Sequence, residues 1–242
     1  MGQFFNSSGS GYNDSLVPGV RSDTLEQRHF MSRVFGWMTV GLLITGIVAL
    51  LVSENTKFVD SLARGGYWIV MIAQFGLVIW FSAGLNRMRA GTATLLFLAY
   101  SAVTGLTFSI FFLIYTQASI ASTFFITAGT FGSMALYGYV TKRDLTSLGH
   151  YAMMALWGVI IAVIANWFMH SSGLQSIINV GGVLVFVALT AYDVQKAKFM
   201  YLAGPNGTQA SQKAAVSAAF NLYLDFINMF LFLLMMFGNQ RD

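Results

Sequence analysis

Two acids, Asp193 in the run VALTAYDVQKAK and Asp225 in NLYLDFINMFLFLL, sit inside otherwise apolar segments. A lone charge deep in a bilayer costs about 2.5–3.5 kcal/mol on insertion scales, so such residues usually face a partner, a cavity or an ion path. Two carboxyl groups brought together where water screens poorly are expected to share a proton. Protonated, the pair can make a hydrogen bond that ties two helices together. Ionised, it repels, and its oxygens become available to a cation. The expected chemistry is a pH-dependent gate for a cation, with Asp193 and Asp225 serving both as sensor and as metal-contacting residues. A plainer alternative has Asp193 reaching the aqueous interface beside Lys196 and Lys198, with Asp225 as a structural hydrogen-bonding residue.

Other polar residues surround this pair in sequence. Asn221 and Asn228 stand four before and three after Asp225, so helical periodicity puts all three on roughly one face, expected to point inward. Tyr192, Gln195 and Tyr223 are further polar neighbours. No Lys or Arg falls within the apolar stretches, so Arg87 or Lys142, reaching in from a rim, is the candidate counter-charge. Gln74 and Asn166 fall inside apolar stretches of their own, where an interhelical hydrogen bond is the simplest expectation and a pore lining the more ambitious one. His29, His150 and His170 fall at or beyond the ends of such stretches, with His170 on the opposite side from the other two, which disfavours a three-histidine metal site. The chain has no Cys, and no serine has a nucleophile-elbow context or a buried base to activate it. The chain is therefore read as not an enzyme and as using no cofactor.

The elements that must position these groups are membrane helices. At 56% hydrophobic and 9% charged residues over 242 positions, with mean hydropathy +0.66, the chain is too poor in charge for a soluble surface. Its lipid bilayer is thus the first partner. Net charge +4 does not imply nucleic acid, because the 13 basic residues are scattered over short loops. Seven stretches are long enough to span, at 34–53, 67–86, 93–115, 119–140, 150–169, 174–195 and 215–237. Residues 1–29 read as a flexible polar tail without a signal-peptide pattern, and 30–242 as the helical domain. Ten of the basic residues fall on one side of this topology and only Lys57, Arg64 and Arg241 on the other, which predicts a cytoplasmic N-terminus and a periplasmic C-terminus. A six-span version with a re-entrant last segment moves only Arg241. The very short connection 116–118 predicts that the third and fourth helices are antiparallel neighbours. Small residues at contact spacing, Ser101, Gly105 and Ser109 in the third span and Ala128, Gly129, Gly132 and Ser133 in the fourth, predict seams where backbones approach closely.

The segments around both acids resemble the signatures of the Bax inhibitor (transmembrane Bax inhibitor motif) family, and RVFGWMTVGLLITG, AYSAVTGLTFS, STFFITAGTFGSMALYGYVTKRDLTSLG and the final FGN resemble its bacterial inner-membrane branch. The resemblance runs from about Gln27 to the C-terminus. It implies an all-α membrane protein, a bundle of seven transmembrane helices with the last one central. It further implies a pH-sensitive calcium leak in which Asp193 and Asp225 are the buried aspartate pair linking the sixth and seventh helices. Calcium as permeant ion comes from the resemblance, and suits carboxylate oxygens as a hard cation. Relatives carry an arginine near the cytoplasmic end of the second helix; here that stretch is VIWFSAGLNRMRAG, and Arg87 is the first arginine in it. Gln74 stands where some relatives have an acid. The resemblance also allows a rival role, regulation of a membrane protease or another membrane partner, and a proton-coupled transporter is a third reading.

Overall fold

The computed structural model describes residues 18–85, 87–203 and 207–241. Among them the chain folds into α1 (Pro18–Ser53), α2 (Thr56–Ser61), α3 (Tyr67–Gly84), α4 (Ala90–Ser109), α5 (Phe111–Ile114), α6 (Gln117–Val140), α7 (Thr146–Met169), α8 (Ser172–Phe199) and α9 (Gln209–Phe237). A wide turn, Leu62–Gly66, joins α2 to α3 across a kink at Gly65, and a tight turn, Met200–Ala203, follows α8. Seven helical runs are long and apolar enough to cross a membrane, at Leu25–Ser53, Lys57–Gly84, Ala90–Ile114, Gln117–Val140, Thr146–Met169, Ser172–Leu202 and Gln209–Phe237. All seven expected spans are present. Several start earlier than the apolar stretch alone suggests, because a helix continues through polar residues once its first turn is capped. Thr208 Oγ1 accepts from Ser211 N at 3.3 Å and so starts α9 well before residue 215. Thr116 and Ser171 cap α6 and α8 in the same way.

The expected tail is shorter than 29 residues. α1 begins at Pro18, a residue suited to a first helical turn, and the chain is helical from there through residue 29. Gln27 Nε2 donates to Lys198 O at 3.0 Å and Phe30 is fully buried, which docks this extension against α8. Residues 1–17 lie outside the described residues.

α9 is the hub. In its most apolar stretch 61% of residues are buried, against 11% for α7 and for the span containing α3. It packs on α1, α4, α6 and α8, and receives Phe81 of α3 through a ring contact with Phe220 at 4.3 Å. α7 is held through α8. A helix buried on nearly every side needs apolar residues all round, and the sequence supplies them from Phe220 to Leu234. Tyr223, completely buried, shares a 2.7 Å hydrogen bond with the hydroxyl of Thr45 on α1 and meets Phe97 edge-on, so even its polar atom is satisfied.

Both ends of the bundle are tied by hydrogen bonds to backbone carbonyls. At one end, Lys198 Nζ donates to Tyr139 O and Lys213 Nζ to Met88 O, gathering the α3–α4 turn, the α6–α7 connection and the start of α9. At the other end, Thr116 N donates to Asn239 O and Arg241 N to Ile114 O, so the chain after α9 clips onto the turn after α5. α9 thus runs from one end to the other, a rise of about 43 Å for 29 residues. The re-entrant alternative is excluded by this full crossing.

Two packing expectations are corrected. The third and fourth spans hardly touch: α4 packs on α1, α3 and α9, while α6 packs on α8 and α9. The extended residues Tyr115 and Thr116 and the clipped C-terminal segment spread the two arms, and a groove of about 470 Å³ lies between them, walled by residues such as Phe108 and Phe124. The stripe in the third span is a seam, since a Cβ on Gly105 would stand 2.8 Å from Thr45 O. The stripe in the fourth is not: Gly129, Gly132 and Ser133 are exposed, and α6 buries Thr123, Thr127, Phe131, Ala135 and Gly138 instead. Lipid is as apolar as the interior, so small residues on a membrane helix do not by themselves mark the packed side.

Candidate functional site

Asp193 on α8 and Asp225 on α9 line one cavity of about 1010 Å³. The two helices form its floor, and α3 and α7 form its walls. Asp225 is only 4% exposed, and its Oδ2 is buried with no hydrogen-bond partner among the described residues. An orphaned buried acceptor costs roughly 1–3 kcal/mol, more for a charged group, so this oxygen is a ready acceptor for a donor or cation entering the cavity. Asn221 and Asn228 line the same cavity, as the four-and-three spacing requires. Asn228 Nδ2 donates to Leu224 O at 2.8 Å within α9, leaving its amide oxygen on the cavity side of the account. Tyr192 also lines the space, its ring packed tightly on Gly149 of α7.

The titratable groups facing the pair come unevenly from the surrounding helices. α8 adds Tyr192 and Lys196, α3 adds Tyr67, and α7 contributes only uncharged side chains. Lys196 Nζ lies 5.8 Å from the centre of the Tyr192 ring, one helical turn beyond Asp193. It is the cation on the cavity lining, a role that sequence reasoning had given to Arg87 or Lys142, neither of which lines the cavity.

Several expected companions are elsewhere. Arg87 is exposed in the turn after α3 and does not line the cavity, because α3 stops at Gly84 and the turn is drawn toward α9, where Gln209 Oε1 accepts from Ala90 N. Gln195 faces away: its Oε1 accepts from Leu145 N and its Nε2 donates to Arg143 O, both at 2.8 Å, clamping the α6–α7 connection. A residue two positions on is about 200° round the helix, so Gln195 cannot share a face with Asp193. Tyr223 is turned from Asp225 by the same rule. Gln74 bridges α3 to α4, donating to Thr104 Oγ1 at 3.1 Å and accepting from Thr107 Oγ1 at 3.0 Å. Asn166 closes the α7–α8 turn, donating to Gln175 Oε1 and accepting from Ser171 N. Both make the plain structural bonds.

Sequence reasoning missed the walls. Phe75 on α3, and Leu156, Ile160 and Ile164 on α7, become site residues only through tertiary placement. α3 and α7 barely pack on one another and meet through Trp68 and Trp167, whose ring centres are 5.5 Å apart at the end remote from Lys196. Among the described residues no three acidic, His or Cys side chains cluster as a metal site. The floor offers two carboxylates and amide oxygens, a donor set suited to transient contact with a hard cation.

Comparison with known proteins adds the lineage. A family model described as Inhibitor of apoptosis-promoting Bax1 matches residues 27–242. A Borreliella burgdorferi protein is 46% identical over 227 residues, covering 92% of this chain and 97% of the relative. Inner membrane protein YbhL of Escherichia coli is 46% identical over 229 residues, covering 91% and 98%. A Rickettsia prowazekii protein is 41% identical over 234 residues, covering 96% and 99%. Matched over residues 27–242, from the first third of α1 onward, and built as seven helices long and apolar enough to span, the chain belongs to the Bax inhibitor family.

Proposed function

We propose that the protein is a pH-sensitive, calcium-permeable leak of the bacterial inner membrane, gated by Asp193 and Asp225, with its N-terminus in the cytoplasm and its C-terminus in the periplasm. The observation that carries this reading is the unpartnered carboxyl oxygen of Asp225, buried on the same cavity as Asp193. When one proton is shared, the carboxyl that holds it donates to the other, and α8 and α9 stay together. When that proton leaves, two like charges face each other in a medium that screens them weakly, and separation of the helices or entry of a divalent cation relieves the repulsion. Acid therefore favours the closed state and alkali the open one. A tenfold change in proton activity is worth about 1.36 kcal/mol per coupled proton, comparable to opening equilibria of a few kcal/mol.

The test is calcium uptake into liposomes containing the purified protein, at pH 6 and pH 8. The wild type should pass more calcium at pH 8. Asp225→Asn and Asp193→Asn should each flatten the pH response, with Asp193→Asn costing less folding because it lies nearer water. Wild-type pH dependence in both variants would remove the gate. No flux from pure, folded wild type at either pH would instead favour the rival reading, a regulator that acts through a membrane protease or another partner.

A further inference from the structure

The cavity beside the two acids has a chemistry that a small hydrated ion does not need. Its polar groups are concentrated on the floor, at Asp193, Asp225, Asn221 and Asn228, whereas the walls from α3 and α7 are overwhelmingly apolar. Those walls are also outward-facing: Phe75 is 63% exposed and Ile164 52%. Since α3 and α7 meet chiefly at the Trp68–Trp167 contact, the space between them opens sideways toward the bilayer. A chamber with an acidic floor, an apolar flank and a side door to lipid is shaped for a molecule with one charged end and one hydrocarbon end.

We infer that this groove binds a single-chain cationic amphiphile, its primary ammonium seated on Asp225 and Asp193 and its alkyl chain lying along the α3–α7 wall. The head must donate hydrogen bonds, because Asp225 Oδ2 is an acceptor without a donor. It must be positive, because the two acidic side chains outnumber the one basic side chain, Lys196, on the cavity lining. The chain must be apolar and slender, because it enters between helices rather than from an aqueous mouth. The inference concerns a ligand other than calcium and stands independently of the leak: binding is read without an ion gradient.

The probe is 12-bromododecylamine, whose bromine quenches nearby tryptophan, added to the full-length protein in calcium-free nanodiscs at pH 8. Trp68 and Trp167 flank the groove, while Trp157, 65% exposed and off the cavity lining, reports simple partition into lipid. Proteins retaining either the Trp68–Trp167 pair or Trp157 alone, with the other tryptophans replaced by Phe, separate the two signals. The expected result is saturable quenching of the pair, linear quenching of Trp157, and about tenfold or greater weakening in Asp225→Asn from loss of a charge-assisted hydrogen bond. The bromododecanoic acid of equal length should bind the groove at least about tenfold more weakly than the amine, since its head repels the floor. Val163→Phe, on the lipid-facing wall where folding tolerates bulk, should block saturation with the acids intact and serves if Asp225→Asn does not fold. Quenching that never saturates, equal quenching by acid and amine, or undiminished binding in Val163→Phe would each overturn the inference. These outcomes leave calcium flux untouched, so the two proposals fail separately.

Discussion

Asp144, in the connection before α7, shows what an acid does at the membrane rim. Its Oδ1 accepts from the Thr146 hydroxyl at 2.6 Å and from Thr146 N at 2.9 Å. Those two bonds, the hydroxyl first, hold its carboxyl below the ordinary carboxylate range. A depressed acid contributes stability that is present above its unfolded value and lost as pH falls through its folded one. Thermal melting of the detergent-solubilised protein should show Asp144→Ala below wild type at pH 7, with the gap closing as pH drops below the ordinary carboxylate range; a gap that persists unchanged in acid would deny these two bonds their role. Asp193 and Asp225 were legible in the sequence because charge amid hydrocarbon is conspicuous, and Asn221 and Asn228 because spacings of four and three share a helix face. Gln195 was misassigned although simple helix geometry turns it away, and Arg87 because a place at the rim of a span says little about reach once its helix ends early. Lys196 was noticed beside Asp193 but read only as an interfacial neighbour, although standing three residues on puts it on the same helix face.

Among the elements, close backbone approach decides which helices are neighbours. A Cβ at Gly138 on α6 would run into the carbonyl of Ala191 on α8, whereas at Gly132, less than two turns earlier, it would meet nothing within 4 Å. Gly138→Ala is therefore expected to destabilise the bundle by about 1–3 kcal/mol through overpacking. Gly132→Ala should be neutral or stabilising by up to about 1 kcal/mol, through reduced backbone freedom in the unfolded chain. Thermal denaturation of the two variants in one detergent compares them, and equal losses would contradict this assignment of the packed face. Existence and number of the spans could be read directly, since length and apolarity suffice. Which side of each faced inward could not, because a helix apolar on every side carries no contrast between core and lipid. The third-span seam was found and the fourth-span one misplaced for that reason.

For the molecule as a whole, the cation-rich connections collect at one end and the Arg64 and Arg241 segments at the other, joined by helices that cross completely. The orientation expected from that asymmetry is open to direct measurement, because the natural chain has no Cys to confuse labelling. In intact spheroplasts a membrane-impermeant maleimide should modify Arg64→Cys and spare Lys142→Cys until the membrane is opened. The opposite pattern would invert the topology and, with it, the side from which protons reach the acids. The central position of the last helix has a further consequence, for biosynthesis. Translation delivers residues in order, at about 5–20 per second, so the segment that fills the middle leaves the ribosome only after the six spans it packs among. Until then the earlier helices wait in the bilayer around a vacancy, and the pin between Thr116 and Asn239 cannot form. A transcript cut short before Gln209 would yield six inserted helices with nothing to close upon, a natural substrate for membrane quality control.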